Sequence, residues 1–153
     1  MIIKGLRIRA TGRAAGDLIR HLVYGDENAA VDILQGAPRD LHDMVADAKP
    51  LSRLYSFRHF VVSPKVETVT ENMVSVVALL GREFGFDPRG AFIVEHRKPR
   101  SSAGFDRHVH AIVPEVDPAT GRVLSSRHSY ARQEKVARLA EDAPGRRLGN
   151  LLG

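Results

Sequence analysis

Three histidines in the second half of this chain have the residue type and spacing for metal chemistry. Residues 108–113 read His-Val-His-Ala-Ile-Val. In a strand, the side-chain period of two places His108 and His110 on one face and the apolar residues on the other. The backbone positions of the two histidines then lie about 6.6 Å apart along the strand. A ring nitrogen of each imidazole could therefore reach one metal at about 2.0–2.1 Å. His96 ends the preceding predicted strand, and an antiparallel hairpin would bring it beside them. The sequence therefore predicts a three-histidine metal site, the alternative being two solvent-facing histidines and an unrelated third.

A basic loop joins the two histidine-bearing strands. Residues 97–107 contain four cations and one acid. Such a loop could cradle a phosphate backbone, or it could be a solvated hairpin tip. Asp106 could orient a ligand histidine from behind, cap the turn or pair with Arg107. We expect Asp106, and also Glu95, which directly precedes His96, to orient the metal-binding histidines by hydrogen bonds.

Hydrophobic periodicity and turn residues predict the elements that must position these side chains. One helix is expected to begin with a capping box from Thr68 to Glu71 and to end at Gly85. The order is strand-helix-strand-helix-strand-helix-strand-strand-helix. It predicts an α+β fold with a central, mostly antiparallel sheet, helices packed on one face and the other face open for a ligand. The other expected elements are strands over residues 2–8, 31–34, 59–63, 91–95 and 108–113, and helices over residues 14–24, 38–48 and 129–141.

Length and composition restrict the class of protein. The 153 residues, 43% hydrophobic and 27% charged, are typical of one globular domain. The longest apolar stretch, residues 73–80, is too short to span a bilayer, so no membrane insertion is expected. The absence of cysteine excludes disulfides and thiolate metal sites and makes a cytoplasmic location the default.

The positive charge is concentrated in the last third of the chain. Residues 1–95 hold 12 cations and 12 acids, whereas residues 96–153 hold 11 cations and 6 acids. The excess predicts a polyanionic partner, nucleic acid first and an anionic membrane surface second. A merely solubilising surface is the alternative.

The histidine segments also resemble a known family. The order of Glu95-His96, a polar loop, His108-Val109-His110 and an apolar run is similar to motif III of plasmid relaxases, the mobilisation nucleases of the HUH endonuclease superfamily. Residues 113–124 and 129–137 resemble the continuation of that motif. Residues 60–63 are similar to the second motif, in which Ser63 would touch DNA, and residues 15–24 resemble the first, which carries the nucleophile. The similarity covers about residues 10–141.

The resemblance implies a reaction and its partners. In the family, three histidines, here His96, His108 and His110, hold one divalent metal that polarises a scissile phosphate. A side chain displaces the 3′-OH and forms a covalent 5′-phosphoryl link, whose reversal rejoins the strand. Mg²⁺ or Mn²⁺ would serve in function, although three imidazoles also suit Zn²⁺ or Ni²⁺. The implied partners are single-stranded DNA at an origin of transfer, accessory mobilisation proteins and a type IV secretion coupling protein. Export of the protein covalently bound to DNA would follow.

The nucleophile departs from the family pattern. The usual tyrosine slot on the first helix holds His21, as in some relaxase branches, and Tyr24 lies one turn further on. A neutral imidazole attacks directly but gives a less stable P–N bond, whereas tyrosine must first lose a proton whose pKa is near 10. We favour His21 and keep Tyr24 as the alternative; either could instead be an ordinary helix-surface residue.

Two further assignments complete the expectations. Residues 1–141 would form the nuclease domain, and residues 142–153 would begin a region that continues in a longer protein. A non-catalytic single-strand binder on the same sheet, or a metal-dependent hydrolase of another substrate, remains an alternative function. His42, His59 and His128 lack motif support and are expected to be surface or packing residues. The residues expected to contact DNA by position are Ser63, Arg58, Arg97, Lys98, Arg100, Arg107 and Arg127.

Overall fold

A computed structural model describes residues 1–25, 30–51, 53–99 and 105–142. The predicted order of helices and strands is confirmed. Among the helices in these ranges, none has the length and apolar character needed to cross a bilayer. The elements are β1 (Ile2–Arg9), α1 (Ala14–Tyr24), β2 (Ala30–Gln35), α2 (Pro38–Ala48), β3 (Tyr55–Ser63), α3 (Thr70–Phe84), β4 (Phe92–Pro99), β5 (Phe105–Pro114) and α4 (Ser129–Asp142).

The five strands form one open antiparallel sheet in the order β1-β3-β5-β4-β2. The α+β class and the antiparallel sheet are therefore confirmed. In the β4–β5 hairpin, His96 lies opposite His108 and Val94 lies opposite His110. Because directly opposed residues point to the same side of a sheet, these four side chains share one face, which we call the histidine face.

Helices lie on both faces of the sheet, whereas the sequence predicted helices on one face only. On the face opposite the histidines, α3 and α4 enclose the larger core. On the histidine face, α1 and α2 enclose a smaller core, because the strands there also carry large apolar side chains that must be covered. The strand residues in this smaller core are Phe57, Phe92, Val94 and Ile112.

Part of the histidine face beside the smaller core stays uncovered. Ile2 and Leu6 of the edge strand β1 point to this face, since they lie opposite Ser63 and His59. The side chain of Leu6 is 59% exposed and that of Ile2 is 48% exposed, and Lys4 between them is also exposed. We call Ile2, Lys4 and Leu6 the open strip. The open strip is an uncovered sheet surface of the kind that the sequence predicted, but it occupies only part of the face that was expected to be open.

The start of α3 differs from its prediction, whereas its end matches. Val69 is the residue preceding the helix, and its side chain makes no capping hydrogen bond. The Thr68 hydroxyl instead donates to the Val66 carbonyl at 2.9 Å, so the predicted capping box is wrong. At the other end, Gly85 has a left-handed φ of 86° and its N–H donates to the Gly81 carbonyl. This is the conformation for which a glycine after a helix is selected.

Candidate active site on the histidine face

Five of the seven histidines form one cluster, which we call the histidine cluster. His110 of β5 is its centre, with ring centroids at 4.4 Å to His96, 5.0 Å to His59 and 6.5 Å to His108. His21 of α1 lies 6.0 Å from the His96 ring, edge to face. One helix and three strands therefore bring titratable side chains together at one place.

Hydrogen bonds hold His96 and His108 in place. His96 Nε2 donates to the Leu22 carbonyl at 2.6 Å, which fixes the neutral tautomer and directs the Nδ1 lone pair away from α1. His108 Nδ1 and the Ser63 hydroxyl share a hydrogen bond of 2.7 Å. Histidines that bind metals usually have their other ring nitrogen held by such a partner. The Ser63 bond also brings the predicted serine next to a predicted ligand.

His110 is held by another imidazole. Its Nδ1 lies 2.8 Å from His59 Nε2, and the two rings stack with their planes 22° apart. His59 lies in no sequence motif, so the prediction of an ordinary surface or packing residue is wrong at this position. One signal was available, since His59 and Ser63 are four residues apart on one predicted strand and therefore share a face. His42 and His128 are exposed, as expected of residues outside the site.

The donor chemistry of the cluster fits a divalent metal, although the three predicted ligands are not all in place. With metal–nitrogen bonds of about 2.0–2.1 Å, two imidazoles on one ion have centroids roughly 5 Å apart. The 4.4 Å between His96 and His110 agrees with this, whereas the 6.5 Å between His108 and His110 is wider. Within the described part of the chain, no group of three or more histidines and acids is arranged as a metal site. His108 would have to turn towards His110 to complete the set.

Burial keeps the centre of the cluster neutral. Together with the nearby His21 and His96, it lowers the pKa of His59 from 6.5 to about 4. It lowers the pKa of His110 to about 2, with the neighbouring His59 and His96 adding to the effect. The pKa of His96 is also lowered, chiefly by burial. A neutral imidazole keeps a lone pair that can bind a metal or accept a proton, so these histidines can do either near pH 7.

We expect the free energy of unfolding to fall as the pH drops from 7 to 5. Histidines titrate near pH 6.5 in the unfolded chain, so below this pH the unfolded state binds more protons than the folded state, and stability is lost. A single group whose pKa falls from 6.5 to about 4, as for His59, contributes a loss of about 2 kcal/mol at pH 5. Urea unfolding at several pH values measures this loss. The exposed-residue variant His42→Gln should show the same slope, and a flat profile from pH 7 to 5 would contradict neutral burial.

The two candidate nucleophiles occupy different surroundings. His21 is exposed on α1 with its ring beside His96. The buried Leu22, whose carbonyl accepts the His96 bond, ties this end of α1 to β4. The side chain of Tyr24, in contrast, is 69% exposed. The structure thus places His21 at the border of the histidine cluster.

Glu95 does not support the histidines, and this assignment is corrected. It is buried on the opposite face, where its carboxylate accepts from the Thr70 hydroxyl at 2.6 Å and from Arg97 Nε at 3.0 Å. Arg107 Nε lies 3.5 Å from the same carboxylate. The reason is the strand period of two, which turns adjacent residues to opposite faces. Arg97 and Arg107 consequently face away from the cluster, and their assignment as DNA contacts on the histidine face is corrected as well.

Arg58 is also misassigned as a DNA contact. It is 2% exposed, and its guanidinium donates twice to the Glu115 carboxylate, at 2.8 and 3.0 Å. A third bond goes to the Ser125 carbonyl at 2.6 Å. Arg127 lies near this network, since its carbonyl and the Ser125 hydroxyl both accept from Arg132. Both arginines are therefore on the side of the sheet covered by α3 and α4. Arg58 is buried there and cannot contact a strand bound at the histidines, whereas the DNA contact of the exposed Arg127 stays a prediction.

Of the remaining predicted contacts, two border the histidine cluster. Ser63 bonds to His108, and Lys98, two residues beyond His96 on β4, is half-buried on the histidine face. Arg100 lies outside the described residues. Asp106 lies opposite Lys98 in the β4–β5 ladder, but its side chain is outside the described part of the structure, as are residues 143–153 of the predicted C-terminal extension.

Comparisons with known proteins do not assign the chain to a family. No protein-family profile matches the sequence, and no curated protein is significantly similar to it. The case for a function therefore depends on the motif residues and on the geometry of the histidine cluster.

Proposed function

We propose that the chain is a relaxase-type enzyme that nicks single-stranded DNA at an origin of transfer and later rejoins it. The observation that carries this proposal is the position of His21 beside a cluster of neutral imidazoles. Its ring lies 6.0 Å from His96, whose ring in turn lies 4.4 Å from His110. A potential nucleophile, two potential metal ligands and an uncovered sheet surface thus lie on one face.

His96, His110 and His108 would hold the divalent metal, Mg²⁺ or Mn²⁺ in the cell. A bound ion of this kind supplies polarisation of the scissile phosphate. The protein's own part is to keep the imidazoles of His96 and His110 neutral and to orient all three rings. Burial achieves the first, and the bonds to Leu22, Ser63 and His59 achieve the second.

His21 is the nucleophile in this proposal. A neutral ring nitrogen attacks the phosphorus, a P–N bond forms, and the P–O3′ bond breaks. The leaving 3′ oxygen takes a proton from water, so the products are a free 3′-OH end and a 5′-phosphoryl group on the imidazole. Attack by a 3′-OH on this phosphoramidate reverses the step and joins the strand. Exposure of His21 suits this role because both the strand and the returning 3′ end must reach it.

The DNA strand would lie across the open strip. Exposed apolar side chains such as Ile2 and Leu6 can contact bases, while Lys4 and Lys98 can contact phosphates. This path leads from the edge strand β1 across Ser63 to His108. The proposal also includes a bacterial cytoplasmic location, accessory mobilisation proteins and a type IV secretion coupling protein as partners.

Two labels on one oligonucleotide test the proposal. The chain is incubated with Mn²⁺ and single-stranded oligonucleotides from an origin-of-transfer region, each labelled at the 3′ or at the 5′ end. A 3′ label is expected to run with the protein in a denaturing gel, because the downstream fragment stays attached through its 5′ phosphate. A 5′ label is expected on a shorter free fragment that ends in a 3′-OH.

The controls separate nicking from binding. The double variant His108→Ala/His110→Ala should lose Mn²⁺ binding and both labelled products. The variant His42→Ala changes an exposed histidine outside the cluster and should keep both. If wild-type protein binds the oligonucleotides but yields no labelled protein across the panel and with several divalent metals, the non-catalytic single-strand binder replaces the proposed enzyme.

A further inference from the structure

The pair formed by His59 and His110 has a feature that an ordinary packing contact lacks. The two ring nitrogens that face each other are 2.8 Å apart. Two neutral imidazoles at this distance must share one proton, because one nitrogen has to donate and the other to accept. His59 is 6% exposed, so water competes little for this bond. The pair therefore couples the tautomer of one ring to that of the other.

The fold fixes the pair through the register of β3 and β5. Val61 lies opposite His110 in this antiparallel ladder, and His59 lies two residues away on the same face. His59 and His110 are thus diagonal neighbours, a relation that aromatic side chains can bridge. The contact follows from the strand pairing itself and requires no loop.

Only one of the two possible tautomers leaves His110 able to bind a metal through its second nitrogen. If His59 Nε2 carries the shared proton, the neutral His110 ring has its own proton on Nε2, and no lone pair is left there. If His110 Nδ1 carries the shared proton, Nε2 has a free lone pair. An acceptor at the position of His59 selects the second state.

We infer that His59 is a positioning residue, which accepts the Nδ1 proton of His110 and so presents His110 Nε2 as a metal ligand. This inference rests on the metal site of the proposed function. A buried neutral acceptor also holds the ring orientation without adding a charge to the cluster. Removal of a residue that hydrogen-bonds to a metal ligand typically changes metal affinity by about 10–100-fold.

Metal titration tests the inference without any measurement of activity. Mn²⁺ binding to the full chain is measured by calorimetry for wild type, His59→Leu and His59→Gln. Leucine removes the acceptor, and the affinity is expected to fall by about 10–100-fold. Glutamine keeps an acceptor oxygen, and the affinity is expected to recover most of that loss. The matched pair His42→Leu and His42→Gln, at an exposed position, should bind like wild type.

A second measurement uses the unaltered protein. Long-range ¹H–¹⁵N NMR of the imidazoles is expected to show a protonated Nδ1 on His110 and an unprotonated Nε2 on His59. The reverse assignment overturns the inference even if the leucine variant does not fold. Wild-type affinity in His59→Leu, or absence of Mn²⁺ binding by wild type, also overturns it. Mn²⁺ binding that depends on His59 without any DNA adduct would leave the inference standing and contradict the proposed nicking alone.

Discussion

His21→Ala is expected to lower the rate of covalent protein–DNA adduct formation by about 10³-fold or more, while DNA binding changes little. Removing a nucleophile abolishes the covalent step, and only uncatalysed reaction remains. Binding should persist because His21 is an exposed residue at the border of the cluster. Initial rates come from the 3′-labelled oligonucleotide with Mn²⁺. Affinity comes from fluorescence anisotropy of the same oligonucleotide in EDTA.

Tyr24→Phe is the matched control, because it removes only the hydroxyl of the alternative nucleophile. Its side chain is 69% exposed, so this change should not disturb the fold. The expected rate is within a few-fold of wild type. Loss of adduct in Tyr24→Phe together with normal adduct in His21→Ala would transfer the nucleophile to Tyr24. Normal adduct in both variants would contradict the assignment of α1 as the catalytic helix.

Glu115→Ala is expected to cost about 3–5 kcal/mol of the free energy of unfolding. Glu115 and Arg58 have side chains that are each 2% exposed, and two hydrogen bonds join them. Truncation leaves the Arg58 guanidinium buried without its counter-charge, and Arg7 Nε, 3.2 Å from the same carboxylate, loses a partner too. For a domain of this size, such a loss corresponds to a fall in Tm of roughly 10 °C. Thermal and urea unfolding measure both quantities.

Two comparison variants show whether the effect comes from an unpaired buried charge. Asp17→Asn breaks the exposed pair with Arg20 and should change the free energy of unfolding by less than about 1 kcal/mol. Arg58→Met/Glu115→Leu replaces the whole pair by apolar side chains and should recover part of the loss. A Glu115→Ala protein as stable as wild type would contradict the buried ion pair.

Much of the fold could be predicted from local patterns. The bounds of α1 and α2 agree with the prediction, since turn residues and helical spacing are local signals. The start of β3 was missed because Ser56 and Arg58 interrupt its apolar pattern. Both are buried and bonded, Ser56 to the Ile8 carbonyl and Arg58 to Glu115. A period-based prediction cannot see that a polar residue has a partner about 50 residues away.

The candidate site was predicted where it depends on a hairpin and missed where it depends on distant strands. His96 lies opposite His108, as a hairpin of consecutive strands requires. His59 joins the cluster only because β3 pairs with β5, across the whole of α3 and β4. No local signal contains this pairing. The face on which Glu95 lies, by contrast, follows from strand alternation, because Glu95 and its neighbour His96 point to opposite faces of the sheet.

The one-sided arrangement of helices was inferred from element order alone. The order of the elements does not determine which face of the sheet each helix covers. The deciding residues are Phe57, Phe92 and Ile112, which make the histidine face apolar near α1 and α2. Their burial restricts the uncovered surface to the open strip and its neighbours, and hence restricts where a DNA strand could lie.

Mass spectrometry of the adduct tests the central claim, that His21 becomes covalently linked to a 5′ phosphate. Cleavage after arginine releases residues 21–39 as one peptide, which contains both His21 and Tyr24. The adduct is trimmed with nuclease and kept at neutral or basic pH, because a phosphoramidate is labile to acid. We expect this peptide to carry the added phosphonucleotide on His21. A modified Tyr24, or an unmodified peptide from protein that has cleaved its oligonucleotide, would contradict the claim.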